Sequence, residues 1–183
     1  MSSRGFFAGV ALVAALAGIA LWLANSPETR DPPVELAPAA LFAATFRDTN
    51  GQEQALGRFE GKWLVLNFWA TWCAPCREEM PGFERLQARW SGRNVQFVGV
   101  AHDDPVEVAR FGTALGIHYP LLTGGDEVDE LARRLGNRAG VVPYTVLIDP
   151  RGHVLQRKVG AYSVKALDAE LQEIVTTKAA KSD

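Results

Sequence analysis

Cysteine is nearly absent. The 183-residue chain has two, Cys73 and Cys76, too few for a disulfide framework, so cysteine count alone does not fix the redox compartment. Histidine is also scarce, and His102, His118 and His153 are scattered, so a closed zinc site around the cysteine pair lacks its third and fourth ligands. Nor is there a basic excess: 19 Lys and Arg face 21 Asp and Glu, with no interleaving of basic and aromatic residues, which argues against nucleic acid as a partner. Repeats and low-complexity tracts are missing too. With 48% hydrophobic and 22% charged residues, the composition fits one globular domain with an ordinary core, plus an appendage.

The two cysteines share one stretch, Trp72-Cys73-Ala74-Pro75-Cys76, directly after the apolar run Leu64-Val65-Leu66-Asn67-Phe68-Trp69. The spacing puts both sulfurs on one face if the second half of the motif is helical, within the short separation a disulfide needs. At the junction of a buried strand and a helix, free backbone N–H groups and the helix dipole favour the Cys73 thiolate. Cys73 is therefore the expected nucleophile and Cys76, one turn in, the resolving thiol. Pro75 suits a first helical turn, where no N–H is required. A purely structural bridge is the plainer reading, but closing so short a loop removes little unfolded-chain entropy. Half of a zinc site is the other, and is weak for want of ligands.

At the N-terminus, Gly5 to Ala24 runs twenty residues without a charge. As a helix it would be about 30 Å long, enough for one bilayer core. Arg4 precedes it, whereas Glu28, Arg30 and Asp31 after it nearly cancel, so the amino end is expected in the cytoplasm and the rest outside it. A cleaved signal peptide is the alternative, with small residues at Ala15-Leu16-Ala17, although the apolar run continues past them. The expected division is an anchor over 1–25, a Pro-rich extended linker over 26–39, a domain over 40–176 and a frayed tail over 177–183.

Within the domain, Asn50-Gly51 between short alternating segments predicts a hairpin across Thr45 to Gln54. Trp63 to Trp69 reads as a central strand covered on both faces, followed by a helix to about Trp90 ended by Gly92. Val95 to Ala101 predicts a parallel neighbour, and Asp104-Pro105 the start of a helix with Val108, Phe111 and Leu115 inward. His102 precedes that cap, either on the rim beside Cys73 or as an ordinary loop residue. Tyr119 to Leu122 reads as extended, Asp129 to Leu135 as a helix stopped by Gly136, and Tyr144 to Ile148 with His153 to Val159 as a second hairpin. The last helix, capped by Ser163, places Leu167, Leu171, Ile174 and Val175 on one face.

A strand ending in Trp-Cys-x-x-Cys, a helix, a crossover, and then Val142-Pro143 before a hairpin and a final helix resembles the thioredoxin superfamily over about residues 40 to 176. Asn67 to Pro81, together with the N-terminal anchor, is similar to the membrane-tethered TlpA/ResA type of protein disulfide reductase. The resemblance implies an α/β, thioredoxin-like fold, a central mixed sheet flanked by helices, with an N-terminal hairpin and a single N-terminal transmembrane helix. It implies that Cys73 and Cys76 are the nucleophilic and resolving thiols and that Pro143 is a cis-proline facing them. Val142 would then offer its backbone to a substrate, with Trp72 and Pro75 on the same rim. Asn67 stands where thioredoxin itself carries a buried acid. Glu79 takes the acid's part in the TlpA/ResA branch, and helix phase agrees, since Glu79 shares the face of Cys76 and Glu78 does not. A solvated helix carboxylate is its plainer reading.

The expected activity is thiol-disulfide exchange, most simply reduction of disulfides in periplasmic proteins for cytochrome c maturation or copper-site assembly. The Cys73/Cys76 dithiol itself would be the redox centre, without an external cofactor or metal. Implied partners are disulfide-containing proteins, a membrane thiol electron donor, and the bacterial inner membrane through residues 5–24. A periplasmic disulfide oxidase, a redoxin-type peroxidase and a non-enzymatic copper or haem-handling module are the competing readings.

Overall fold

The computed structural model describes residues 36–179, with side chains to residue 176. The expected membrane segment 5–24, the anchor 1–25, most of the linker 26–39 and the end of the tail 177–183 lie outside the described residues. Among the described residues, no helix is long and apolar enough to cross a membrane.

The described residues open with a short helix α1 (Pro38–Phe42), then β1 (Thr45–Asp48), β2 (Glu53–Ala55) and a 3₁₀ turn (Leu56–Phe59). Next come β3 (Trp63–Trp69), α2 (Ala74–Trp90), β4 (Val95–His102), α3 (Pro105–Leu115), β5 (Leu121–Gly124) and α4 (Asp126–Arg134). The hairpin β6 (Tyr144–Ile148) and β7 (Val154–Val159) leads into α5 (Val164–Ala179). The seven strands of the described residues form one sheet in the order β2-β1-β5-β4-β3-β6-β7. β3 runs parallel to β4 and antiparallel to β6, so the sheet is mixed.

The central strand is buried on both faces, which is why it reads as an unbroken apolar run. Leu64, Leu66 and Phe68 join a cluster with Leu41, Phe59 and Leu131 on one side. Val65 and Trp69 join Phe83, Leu86, Trp90 and Leu167 on the other, under α2 and α5. This alternation sends the polar Asn67, between Val65 and Trp69, toward the α2 side. Gly99 in β4 makes room there: a Cβ on it would lie 3.1 Å from Trp69 Nε1 and 2.7 Å from Leu121 Cδ2.

Several boundaries depart from the sequence reading. Leu36 is already buried and Pro38 starts α1, so the domain begins inside the segment 26–39 that reads as linker. Proline is compatible with a first helical turn, and the apolar positions Leu36 and Leu41 have a core to enter. The left-handed residue that turns the chain after α2 is Asn94 (φ 60°), not Gly92, and its side chain donates to the Gly61 carbonyl at 2.7 Å. β5 lies two residues later than expected. α4 begins at Asp126 rather than Asp129, with Asp126, Glu127 and Asp129 in its first turn where the helix dipole favours them. α5 continues to Ala179, past the expected fraying point at Thr176.

Candidate active site

β3 delivers the cysteine motif to the carboxyl end of the sheet, and α2 starts within it. Cys73 is the N-cap residue of α2, with extended backbone, and its Sγ accepts the Cys76 N–H at 3.3 Å. The Cys73 N–H donates to the Ala70 carbonyl at 3.1 Å, closing the turn that leaves the strand. The two cysteines are joined by a disulfide with their Cα atoms 5.3 Å apart. Cys73 is 4% exposed and Cys76 not at all, so the outer sulfur is the one a partner reaches. Once the bridge is reduced, the N–H that now points at Cys73 Sγ is placed to hold a thiolate there.

Around this pair the structure assembles a polar pocket under α2. Glu79 lies one turn beyond Cys76 and is 6% exposed. Its Oε1 accepts the Asn67 side-chain amide at 3.1 Å and its Oε2 the Tyr162 backbone N–H at 2.7 Å. The same Asn67 nitrogen donates to Thr145 Oγ1 at 3.0 Å, while Asn67 Oδ1 is buried without a hydrogen-bond partner. Burial pushes the Glu79 carboxyl up from 4.5 to about 7, against the opposing effect of the hydrogen bonds from Tyr162 and Asn67. A carboxyl balanced there exchanges protons in the range where thiols are called on to ionise.

The approach to the motif is fastened separately. Asp103 Oδ2 accepts the Thr71 backbone N–H at 2.9 Å and the Thr71 hydroxyl at 2.6 Å, tying the turn before Cys73 to the end of β4. Burial raises the Asp103 pKa, but the hydrogen bonds from Thr71 and the Asp104 backbone outweigh it and hold the carboxyl below its ordinary range. Asp103, Thr145 and Tyr162 carry no signal in the sequence; only Asn67 stands out there, as a polar residue in a buried strand.

The remaining expected rim residues fall as follows. Trp72 is 74% exposed next to Cys73, Pro75 is exposed in the first turn of α2, and Val142 is half-buried before a buried Pro143. The Val142–Pro143 peptide bond is cis. His102 lies at the same end of the sheet, but its Nδ1 is 2.8 Å from Asp129 on α4, and Asp104 caps α3 through the Val106 N–H at 2.8 Å. His102 is thus the last residue of β4, not a loop residue, and its ring is engaged by α4 rather than by the cysteines. Among the described residues, no group of three His, Cys, Asp or Glu side chains is placed to hold a metal ion.

The AhpC/TSA family profile matches residues 36–157. The thiol-disulfide oxidoreductase ResA of Geobacillus kaustophilus is 31% identical over 128 residues, covering 69% of this chain and 71% of that protein. The ResA protein of Halalkalibacterium halodurans is 30% identical over 149 residues, 79% of this chain and 81% of its own length. Among solved structures, a thiol:disulfide interchange protein of the thioredoxin family from Chlorobium tepidum superposes with a TM-score of 0.62 at 29% identity. It covers 72% of this chain and 92% of that one.

Proposed function

This chain belongs to the AhpC/TSA family, and from that premise we propose that it acts as a reductase of protein disulfides on the periplasmic side of a bacterial inner membrane. Its activity class is thiol-disulfide oxidoreductase, with the cysteine pair itself as the redox centre. The observation that carries the reading is the Cys73–Cys76 bridge at the start of α2, outer sulfur reachable and inner sulfur enclosed. In the reduced protein the Cys73 thiolate attacks a substrate disulfide, forming a mixed disulfide and releasing one substrate thiolate. Cys76 Sγ then attacks Cys73 Sγ, the mixed disulfide breaks, and the second substrate thiolate leaves. Two electrons pass to the substrate and the protein ends with its own bridge closed. Glu79 takes the proton from the enclosed Cys76 thiol and returns it when the bridge is reopened.

Trp72 and Val142 provide the docking rim, with Pro75 and Pro143 offering no competing N–H beside the sulfurs. Reopening the bridge needs a dithiol donor, and in a periplasm not poised by glutathione a membrane thiol carrier fits that need. The uncharged run from Gly5 to Ala24 supports tethering near such a donor. Substrates of the cytochrome c maturation or copper-site assembly type suit this direction of electron flow.

The reduction potential of the bridge, with Cys73→Ser as control, tests the direction. A value near about −270 mV supports the reductase, and one near about −120 mV makes the protein an oxidase. If the wild type shows no reversible two-electron couple, the redox reading fails and metal handling by the two sulfurs takes its place.

A further inference from the structure

Just before Pro143, the loop that follows α4 is clasped by the side chain of Asn137. Asn137 is 5% exposed, and its amide engages both polar backbone groups of Val141: Nδ2 donates to the Val141 carbonyl at 2.8 Å and Oδ1 accepts the Val141 N–H at 3.1 Å. This doubled contact copies the exchange a neighbouring strand would make with Val141. The Asn137 carbonyl also accepts the Gly140 N–H at 3.2 Å, so the loop from 137 to 141 closes on this residue. Upstream, the Leu135 carbonyl is fixed from the β6–β7 hairpin, accepting the Tyr144 hydroxyl and Arg157 Nε at 2.8 Å each.

Packing beneath the loop is incomplete. A cavity of about 30 Å³ lies behind it, bordered by Phe68, Trp69, Val100, Ala132, Asn137 and Val142. With Val141 satisfied by Asn137, the next residue is left open: among the described residues no hydrogen bond engages the Val142 N–H or C=O. The chain then enters the sheet, where the Pro143 carbonyl accepts the Gly160 N–H at 2.9 Å.

We propose that Asn137 is a positioning residue for the partner protein: by holding both backbone groups of Val141 it fixes the segment before Pro143 and keeps the Val142 N–H and C=O free for an extended strand of a disulfide-bearing polypeptide. This rests on the docking reading above. It distinguishes two kinds of substrate. A polypeptide pairs with the backbone of Val142, whereas a small disulfide needs only the sulfur of Cys73.

The test uses the full chain on two substrates: insulin as the protein disulfide, turned over with dithiothreitol as the regenerating reductant, and 5,5′-dithiobis(2-nitrobenzoic acid) as the small one, added to the pre-reduced protein after dithiothreitol, which would reduce it directly, has been removed. In Asn137→Ala, which removes two hydrogen bonds, KM for insulin rises about tenfold while kcat, the small-disulfide rate and the reduction potential stay within twofold of wild type. Asn137→Asp keeps the acceptor for the Val141 N–H but turns a carboxylate oxygen toward the Val141 carbonyl, so its insulin KM rises at least as far as in Asn137→Ala, and an unaltered small-disulfide rate in both variants guards against a folding defect. An unchanged insulin KM, or a loss on both substrates in step, overturns the proposal. Wild type that reduces neither substrate sinks the reductase reading instead. Amide exchange then still decides the loop geometry, with Val141 protected and Val142 unprotected in the wild type. Protection at Val141 is lost in Asn137→Ala, and an unprotected Val141 in the wild type overturns the clasp.

Discussion

The Asn67 amide donates to the Glu79 carboxylate across 3.1 Å, joining the middle of the central strand to the second turn of the active-site helix. It places a neutral donor against a carboxyl that burial holds near pH 7. The pocket is therefore served by an acid on the helix, with the strand supplying only its hydrogen-bond partner.

Stability should record that arrangement. The Glu79 pKa rises from 4.5 unfolded to about 7 folded, so between these values the unfolded chain has shed a proton that the folded one keeps. Folding stability then falls as pH rises through this window and levels off above it, by up to about 3 kcal/mol. In Glu79→Gln the dependence flattens, because Gln carries no charge and turning the Asn67 amide offers it the otherwise unpaired Oδ1. Chemical denaturation of oxidised wild type and variant from pH 4 to 9 measures this, and parallel curves for the two proteins would refute it.

The difference in access between the two sulfurs sets the next expectation. Cys76→Ser retains the outer nucleophile and lacks the resolving thiol, so it accumulates a mixed disulfide with a protein substrate, visible on a non-reducing gel. Cys73→Ser traps none, since the remaining sulfur is fully enclosed. Equal trapping by both variants would contradict the assignment of roles.

At the motif's approach, Asp103→Ala removes the acceptor of the Thr71 N–H and hydroxyl. The loss should be about 1–3 kcal/mol at pH 7. Because the folded pKa of Asp103 lies below its ordinary 3.8, the contribution is complete above that value and disappears as pH falls through the lower folded one. Urea melts at pH 7 and pH 2.5 should therefore show a gap between wild type and variant that narrows in acid. A gap of the same size at both pH values would mean that the carboxylate is not its source.

Gly82 offers a test of packing whose sign opposes helix propensity. It lies inside α2, where Gly→Ala would ordinarily stabilise by about 1 kcal/mol. Here a Cβ would fall 2.1 Å from Val164 Cγ2, at the start of α5. Valine is stiff at χ1, so Gly82→Ala should instead destabilise by about 1–3 kcal/mol. Adding Val164→Ala should recover most of the loss in a double-mutant cycle. Additive effects of the two substitutions would show that the helices do not meet at this point.

Features that depend on neighbours along the chain are legible in the residues alone. The apolar run from Leu64 to Trp69 specifies a doubly covered strand, Asn50-Gly51 and Asp149 to Gly152 specify turns, and the three-residue step from Cys76 to Glu79 puts the acid on the buried face. All of these follow from fixed periods of 2 and 3.6 residues, which any stretch of sequence displays. The partners of Glu79 emerge only on folding, because Tyr162 supplies a backbone N–H from 83 residues away and every residue but proline has such a group to offer. For the same reason nothing in the sequence pairs Thr71 with Asp103 or the Asn137 amide with Val141, contacts that exist only once the fold is made. The linker reading failed at Leu36 and Pro38 because prolines mark an extended segment only where no core lies within reach, and whether one does is settled by the rest of the chain.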